Sequence, residues 1–373
     1  MKLALARQKY NPFGGAERFV ERSLQALQAS GTAVTLITRE WKADTAQRDV
    51  RICNPAYFTR KGRDAGFARE VQHIIASAEF DLVQSHERIP GCHLYRAGDG
   101  VHATWLERRA RVQSPLAQMA TALHPWHRYT LTAENAMFKH PDLRAVICNS
   151  EMVQRDVASR FGVNGSKLHV IHNGVDLGHF HPALREQFHD STRRALDIPI
   201  APPLLLFVGS GFERKGLQSL LYALAAMQNK ATHLIVVGRD KHQARLEKLA
   251  LELGVAKRTR FVGSQTDVRP YYAAADVFAL PTLYDPFPNA VLEALACGLP
   301  VLTSPDSGAA ELITADCGAV VDALDCAAQA QALDALIERS DAMREAARSA
   351  AATCSLDDMT ARLTELYSQL TAT

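Results

Sequence analysis

The run Leu204-Leu205-Leu206-Phe207-Val208-Gly209-Ser210-Gly211-Phe212-Glu213-Arg214-Lys215-Gly216-Leu217 decides the fold. Its first five residues are all apolar, as in a short strand buried on both faces. Glycines then mark a tight turn, and a helical stretch, Leu217–Met227, follows. Strand, glycine loop and helix form the repeating unit of a parallel α/β sheet, in which ligands bind beyond the carboxyl ends of the strands. Arg214 and Lys215 fall in that loop, where two cations can neutralise a diphosphate, the arginine through its planar fork. The phosphate-loop pattern Gly-x-x-x-x-Gly-Lys-Ser/Thr is not met, because Gly216 follows Lys215 and Leu217 takes the hydroxyl position. Nucleotide hydrolysis of that kind is therefore disfavoured, and the plain alternative is a solvated basic turn.

The same rhythm runs outward in both directions. Downstream, His233–Val237, Val277–Leu280, Val301–Thr303 and Ala319–Val321 read as strands, with a helix over Gln243–Leu253. Upstream, Leu3–Ala6, Ala33–Thr38, Leu82–Ser85, Ala145–Asn149 and Leu168–Ile171 read as strands, and Ala16–Ser30 as a helix. Ser150 can cap the helix after it, with Gly162 near that helix's end. Between the two blocks, His172-Asn173-Gly174-Val175-Asp176 opens a stretch rich in His, Pro and charge that reaches Pro203 and reads as a domain junction. The expectation is an α/β protein of two Rossmann-like doubly wound parallel sheets facing across a cleft. The first domain spans 1–175 and the second 176–356, with a last helix, about 357–373, free to pack back on the first.

Composition agrees with a globular chain. It has 373 residues, 47% hydrophobic and 22% charged, which excludes a disordered or fibrous protein. No apolar run approaches a membrane span. Met1-Lys2-Leu3-Ala4-Leu5-Ala6-Arg7 is charged too soon to be a signal peptide and reads as a first strand. Seven cysteines without Cys-x-x-Cys spacing suggest reduced thiols in a cytoplasmic protein. The net charge of +2 hides +7 over residues 1–176 and −5 over 177–373. A near-neutral total and an acidic second half disfavour a nucleic-acid binder. The basic half suits an anionic membrane or a phosphorylated substrate, or is a scattered solvated surface.

Two further motifs carry chemistry. Phe13-Gly14-Gly15-Ala16-Glu17-Arg18 follows the first strand and opens a helix, so its backbone can approach an anion closely; it is not a dinucleotide fingerprint. Asp285-Pro286-Phe287-Pro288-Asn289-Ala290-Val291-Leu292-Glu293 brackets a loop and a helix start with two carboxylates, which suit sugar or ribose hydroxyls. The prolines lack N–H groups, so Phe287, Asn289 and Ala290 are the backbone donors of this loop. Glu293 lies among apolar neighbours and needs a partner. Trp105-Leu106-Glu107-Arg108-Arg109-Ala110-Arg111, with Trp126, His127, Arg128 and Tyr129, mixes aromatics and cations. It reads either as a membrane headgroup contact or as an amphipathic helix packed on its own domain.

Taken in order, the chain resembles the retaining GT-B glycosyltransferases of family 4. The likeness rests on Gly14-Gly15, Ile147-Cys148-Asn149-Ser150-Glu151, Val170-Ile171-His172-Asn173-Gly174-Val175-Asp176, Arg214-Lys215-Gly216, Asp285 with Glu293, and Gly298-Leu299-Pro300-Val301. Lys9-Tyr10-Asn11-Pro12-Phe13-Gly14-Gly15 with Arg18, Pro90-Gly91 and Ala97-Gly98-Asp99 are similar to the lipopolysaccharide core glucosyltransferases of that family.

The resemblance implies transfer of a hexose, glucose foremost, from a UDP-sugar to a glycan or lipid-linked acceptor at the cytoplasmic face of the inner membrane. No cofactor and no metal are implied, and no Asp-x-Asp occurs in the chain. It places Glu293 on the ribose, Asp285 on the donor sugar, Arg214 and Lys215 on the diphosphate, Gly15 in a loop closing on that diphosphate, and Arg260 against the base. Asp285 stands where the family commonly has Glu. At the sugar the resemblance names Asp99, with His86 as the other candidate. Another GT-B nucleotide-sugar enzyme, such as a mannosyltransferase or epimerase, and a non-catalytic nucleotide-sugar binder are the competing readings.

Overall fold

The structure is a computed structural model. It describes residues 2–9, 24, 27, 32–40, 49–77 and 79–371. Two compact units emerge: Met1–His172 with Met359–Thr373, and Asn173–Asp358. The divisions fall within a few residues of the 175 and 356 expected from sequence.

In the first unit, β1 (Lys2–Ala6), β2 (Ala33–Thr38), β3 (Asp49–Ile52), β4 (Leu82–Ser85), β5 (Leu94–Arg96), β6 (Ala145–Cys148) and β7 (Leu168–Val170) make one sheet in the order β3-β2-β1-β4-β5-β6-β7. Every pairing is parallel, with Leu3 opposite both Val34 and Leu82. Helices α1 (Arg60–Ala76), α2 (His102–Ala110), α3 (Pro115–Leu123), α4 (Pro125–Phe138) and α5 (Glu151–Phe161) fill the connections. The helix expected over Ala16–Ser30 lies almost wholly outside the described residues; Leu24 and Leu27, which are described, are helical and buried. Ser150 caps α5 by accepting from Val153 N, and Gly162 ends it at φ 67°. Helix α2 has no cap of its own. Its first N–H groups, on His102 and Ala103, donate instead to the buried Glu134 carboxylate of α4.

In the second unit, β8 (Leu204–Val208), β9 (His233–Val237), β10 (Thr259–Gly263), β11 (Val277–Leu280), β12 (Val301–Thr303) and β13 (Gly318–Val320) form an all-parallel sheet in the order β10-β9-β8-β11-β12-β13. Chain order reverses direction at β8, so the crevice between β8 and β11 is the topological switch point where such sheets bind ligands. Its helices are α6 (Leu184–Ala195), α7 (Leu217–Ala226), α8 (Gln243–Glu252), α9 (Arg269–Ala274), α10 (Asn289–Ala296) and α11 (Cys326–Ala352). The last helix, α12 (Leu356–Thr371), starts in the second unit and from Met359 onward belongs to the first. There the Tyr367 hydroxyl donates to Gln84 Oε1 at a fully buried position.

The structure corrects the sequence reading at α6. That stretch was read as junction because it is dense in charge, yet it is a helix packed against α9. Buried Arg193 holds it, donating to Asp276 Oδ2 at 2.7 Å and to the carbonyls of Ala274, Ile200 and Pro202. All seven cysteines are free thiols. Among the described residues no helix is long and apolar enough to cross a membrane, and no His/Cys/Asp/Glu group could hold a metal ion.

Candidate active site

The loop Gly209–Gly216 leaves β8 and the loop 281–288 leaves β11, so both open at the switch point. They are stitched together. The Arg214 carbonyl accepts from Leu283 N at 2.7 Å and from Thr282 Oγ1 at 2.8 Å. Gly216, at φ 75°, lies so close to Pro281 that a Cβ would stand 1.9 Å from its carbonyl oxygen. Gly209 is required for a different reason: a Cβ there would meet the Lys215 side chain at 2.5 Å. Glycine thus lets the lysine stem lie across the loop.

The lysine ends on a carboxylate. Lys215 Nζ lies 2.9 Å from Asp285 Oδ2, and Arg214 stands 3.7 Å from the same oxygen. Asp285 is only 5% exposed. Burial alone would push its pKa up, but the Lys215 and Arg214 charges, with N–H groups on the carboxylate, outweigh it and hold the acid below the ordinary carboxylate range. Arg214, Lys215 and Asp285 together carry one net positive charge, suited to a diphosphate, and the loop of the two cations also holds the exposed Glu213.

The two carboxylates have different partners. Glu293, on the second turn of α10, is buried, and its Oε2 accepts from the Tyr272 hydroxyl of α9 at 2.9 Å. That is the partner its apolar neighbours required. Asn289 and Ala290 open α10, where N–H groups have no acceptor inside the helix. Phe287 is buried, and its N–H is spent on Asp285. The junction motif holds this loop: Asn173 Nδ2 donates to Phe287 O at 3.1 Å and to Asn289 Oδ1 at 2.7 Å. Gly174 is needed beside it, since a Cβ would lie 2.7 Å from Leu356 Cα.

Arg214, Lys215, Asp285 and Phe287 are thus brought together, with Asn289, Ala290 and Glu293 on the adjoining helix. Arg260 is not. It is the second residue of β10, near the amino end of the strand, and its guanidinium donates to the carbonyls of Leu196 and Lys257. Its place near the amino end of the strand, away from the carboxyl ends, sets it apart from the loops that hold the other four. Gly14 and Gly15 lie outside the described residues.

In the first unit, Asp99 is exposed on the turn after β5. That turn is clamped from three sides: Asn149 Nδ2 donates to Gly98 O, Arg88 donates to Gly100 O, and Gly100 N donates to Ala97 O. His86, after β4, is 8% exposed, with Gln84 Nε2 3.1 Å from its Nε2 and Arg7 3.4 Å from its Nδ1. Burial first, then the Arg7 and Arg96 charges, hold its pKa well below the ordinary imidazole value, so it stays neutral. Of the two, Asp99 presents the reachable group.

Sequence reasoning missed Tyr272, Thr282 and Glu134. Each is a polar residue made necessary by a partner distant in sequence, and none belongs to a motif. In α2, Trp105 is half-buried and Glu107 pairs with Arg160 of α5 at 2.7 Å. The outward apolar surface lies on α3, none of whose residues is buried.

Comparison with known proteins places these observations. The family described as Glycosyl transferases group 1 matches residues 188–353, and Glycosyltransferase Family 4 matches residues 13–179. The chain is 28% identical over 326 residues to the lipopolysaccharide glucosyltransferase WaaG of Escherichia coli K12, covering 86% of this chain and 85% of that one. It is 30% identical over 393 residues to a D-inositol 3-phosphate glycosyltransferase of Xylanimonas cellulosilytica, covering 96% and 92%. A crystal structure of WaaG, a glycosyltransferase involved in lipopolysaccharide biosynthesis, superposes with a TM-score of 0.82 at 26% identity, over 98% of this chain and 99% of that one. The protein belongs to the group 1, family 4 glycosyltransferases and has their GT-B fold. Within that family it is similar to the lipopolysaccharide glucosyltransferase WaaG.

Proposed function

We propose that the protein transfers a hexose, glucose foremost, from a UDP-sugar to a lipopolysaccharide core or related cell-surface glycan, with retention of configuration and without a metal. The observation that carries it is the Arg214, Lys215, Asp285 and Glu293 constellation at the switch point of the second unit. Glu293 accepts ribose hydroxyls. Arg214 and Lys215 take the diphosphate and offset the charge that grows on it as the glycosidic bond breaks, a term worth about 3–4 kcal/mol per well-placed donor. The departing phosphate oxygen receives the acceptor's proton on the same face, so no protein nucleophile is required. Asp99 is the residue for the sugar being transferred. The similarity to WaaG, a lipopolysaccharide glucosyltransferase, supports glucose and a lipopolysaccharide acceptor.

An anionic membrane surface completes the reading, at the cytoplasmic face. Val112, Leu116, Met119 and Leu123 recur at helical spacing and are 44–75% exposed. Arg108, Arg109 and Arg111 precede them and Arg128 follows. The first unit carries +8 and the second −6. An apolar face rimmed by cations suits interfacial attachment.

The test is UDP release from UDP-glucose, with and without truncated lipopolysaccharide, in the presence of chelator. Acceptor-dependent release with retained anomeric configuration is expected. Epimerised donor without release, or binding without turnover, would replace this reading with one of its competitors.

A further inference from the structure

Ser307 is a buried hydroxyl without a hydrogen bond: the residue is 1% exposed and its Oγ has no partner. A buried polar group in that state costs about 1–3 kcal/mol, and in a native fold it calls for an explanation. The local turn supplies none. Ser307 precedes the short 3-10 turn Gly308–Leu312 in the capping position, yet its side chain makes no capping bond. Its backbone is occupied, its N–H donating to Ser304 O and its carbonyl accepting from Ala310 N.

Its place relative to Asp285 explains it. The two residues form a parallel bridge, with Asp285 N donating to Asp306 O at 3.0 Å and Gly308 N donating to Asp285 O at 2.8 Å. Residues paired across a bridge project from the same face. The Ser307 hydroxyl therefore shares a face with the carboxylate on which Lys215 rests. That carboxylate is already spent on Lys215 Nζ and on the Phe287 N–H. A lysine ammonium drawn off Asp285 by a diphosphate would leave this face to whatever the diphosphate carries.

We propose that Ser307 contacts a hydroxyl of the donor's hexosyl ring and sets specificity for it, the role that Asp285 is too engaged to fill alone. The inference rests on the donor-site reading above. Ser307→Ala raises the KM for UDP-glucose about five- to tenfold, the loss of one neutral hydrogen bond, and leaves the Kd for UDP unchanged. Across a series of mono-deoxy UDP-glucose analogues, one analogue binds the native protein more weakly than UDP-glucose does, and Ser307→Ala abolishes that difference. The thermal midpoint of the ligand-free variant does not fall, because no protein bond is lost. Equal weakening of UDP and UDP-glucose, an unchanged KM, or a lowered midpoint would each overturn the assignment. A native protein that binds no UDP would instead sink the donor-site reading, and this proposal with it.

Discussion

Lys215→Ala separates the two tasks of the ion pair, holding Asp285 and receiving the donor. At 2.9 Å and an effective dielectric constant of about 20, the pair attracts by roughly 6 kcal/mol, from which the desolvation of both ions must be subtracted. Removing one partner of a buried pair costs about 3–5 kcal/mol. Here the loss is smaller, about 2–3 kcal/mol, because Arg214 stands 3.7 Å away and can close on the orphaned carboxylate. Turnover falls by at least about a hundredfold. Adding Asp285→Asn removes the buried charge, so the double variant regains most of the stability and none of the activity. The pH dependence moves with it. A carboxylate held low stabilises the fold above its unfolded pKa, and that contribution is lost as pH falls through the lowered folded value. Without Lys215 the folded value rises and the acid transition starts at higher pH. Urea unfolding of the UDP-sensitive transition at several pH values, with UDP release alongside, measures all of this. A Lys215→Ala variant as stable as the native protein, or a double variant no more stable than the single, would refute the reasoning; so would near-normal turnover in folded protein.

Glu293→Gln is expected to weaken UDP and UDP-glucose together by about tenfold or more, and Tyr272→Phe to do the same more mildly by releasing the carboxylate; calorimetry on both ligands decides, and a loss confined to UDP-glucose would move Glu293 off the ribose. Leu116, Met119 and Leu123 changed together to Gln should lower co-sedimentation with anionic vesicles at low salt while leaving UDP-glucose hydrolysis intact; unchanged sedimentation would return α3 to ordinary surface. His102 and His127, 3.0 Å apart, are depressed to about 3 and about 4 by burial and by neighbouring positive charge. Both are neutral in the fold, so their contribution is complete above about pH 6.5 and is lost as pH falls toward those values; His127→Gln should flatten that part of the stability profile, and an unaltered slope would place the acid sensitivity elsewhere.

How far the sequence could be read depended on what each element buries. Strands β8 and β11 carry unbroken apolar runs, so pattern alone set their ends. Strand β5 is three residues long and buries Arg96, and β3 reads Asp-Val-Arg-Ile, so neither looks apolar enough to notice. Helix α6 was hidden by its charge density, in which Arg185 and Arg193 meet Asp276 while Glu186, Asp190 and Arg194 face water. At the site, residue types at strand ends pointed to Arg214, Lys215, Asp285 and Glu293. The pairing of Lys215 with Asp285 spans 70 residues and appears only when β8 and β11 lie side by side. Ser307 had no local signal, since an unpartnered hydroxyl is defined by what surrounds it.

The return of α12 has a consequence for biosynthesis. A ribosome delivers residues 173–358 as one uninterrupted piece, so the second unit can close around its own core as soon as that piece has emerged. The first unit begins earlier but finishes later. Until Tyr367 is made, Gln84 on the central strand β4 lacks the hydroxyl that satisfies it, and the sheet lacks the helix that covers it. The earlier-born unit must therefore wait, with part of its core open, for nearly two hundred residues of another fold to pass. A stop codon placed shortly before Met359 would spare the second unit and leave the first, whose own strands are all present, permanently unfinished.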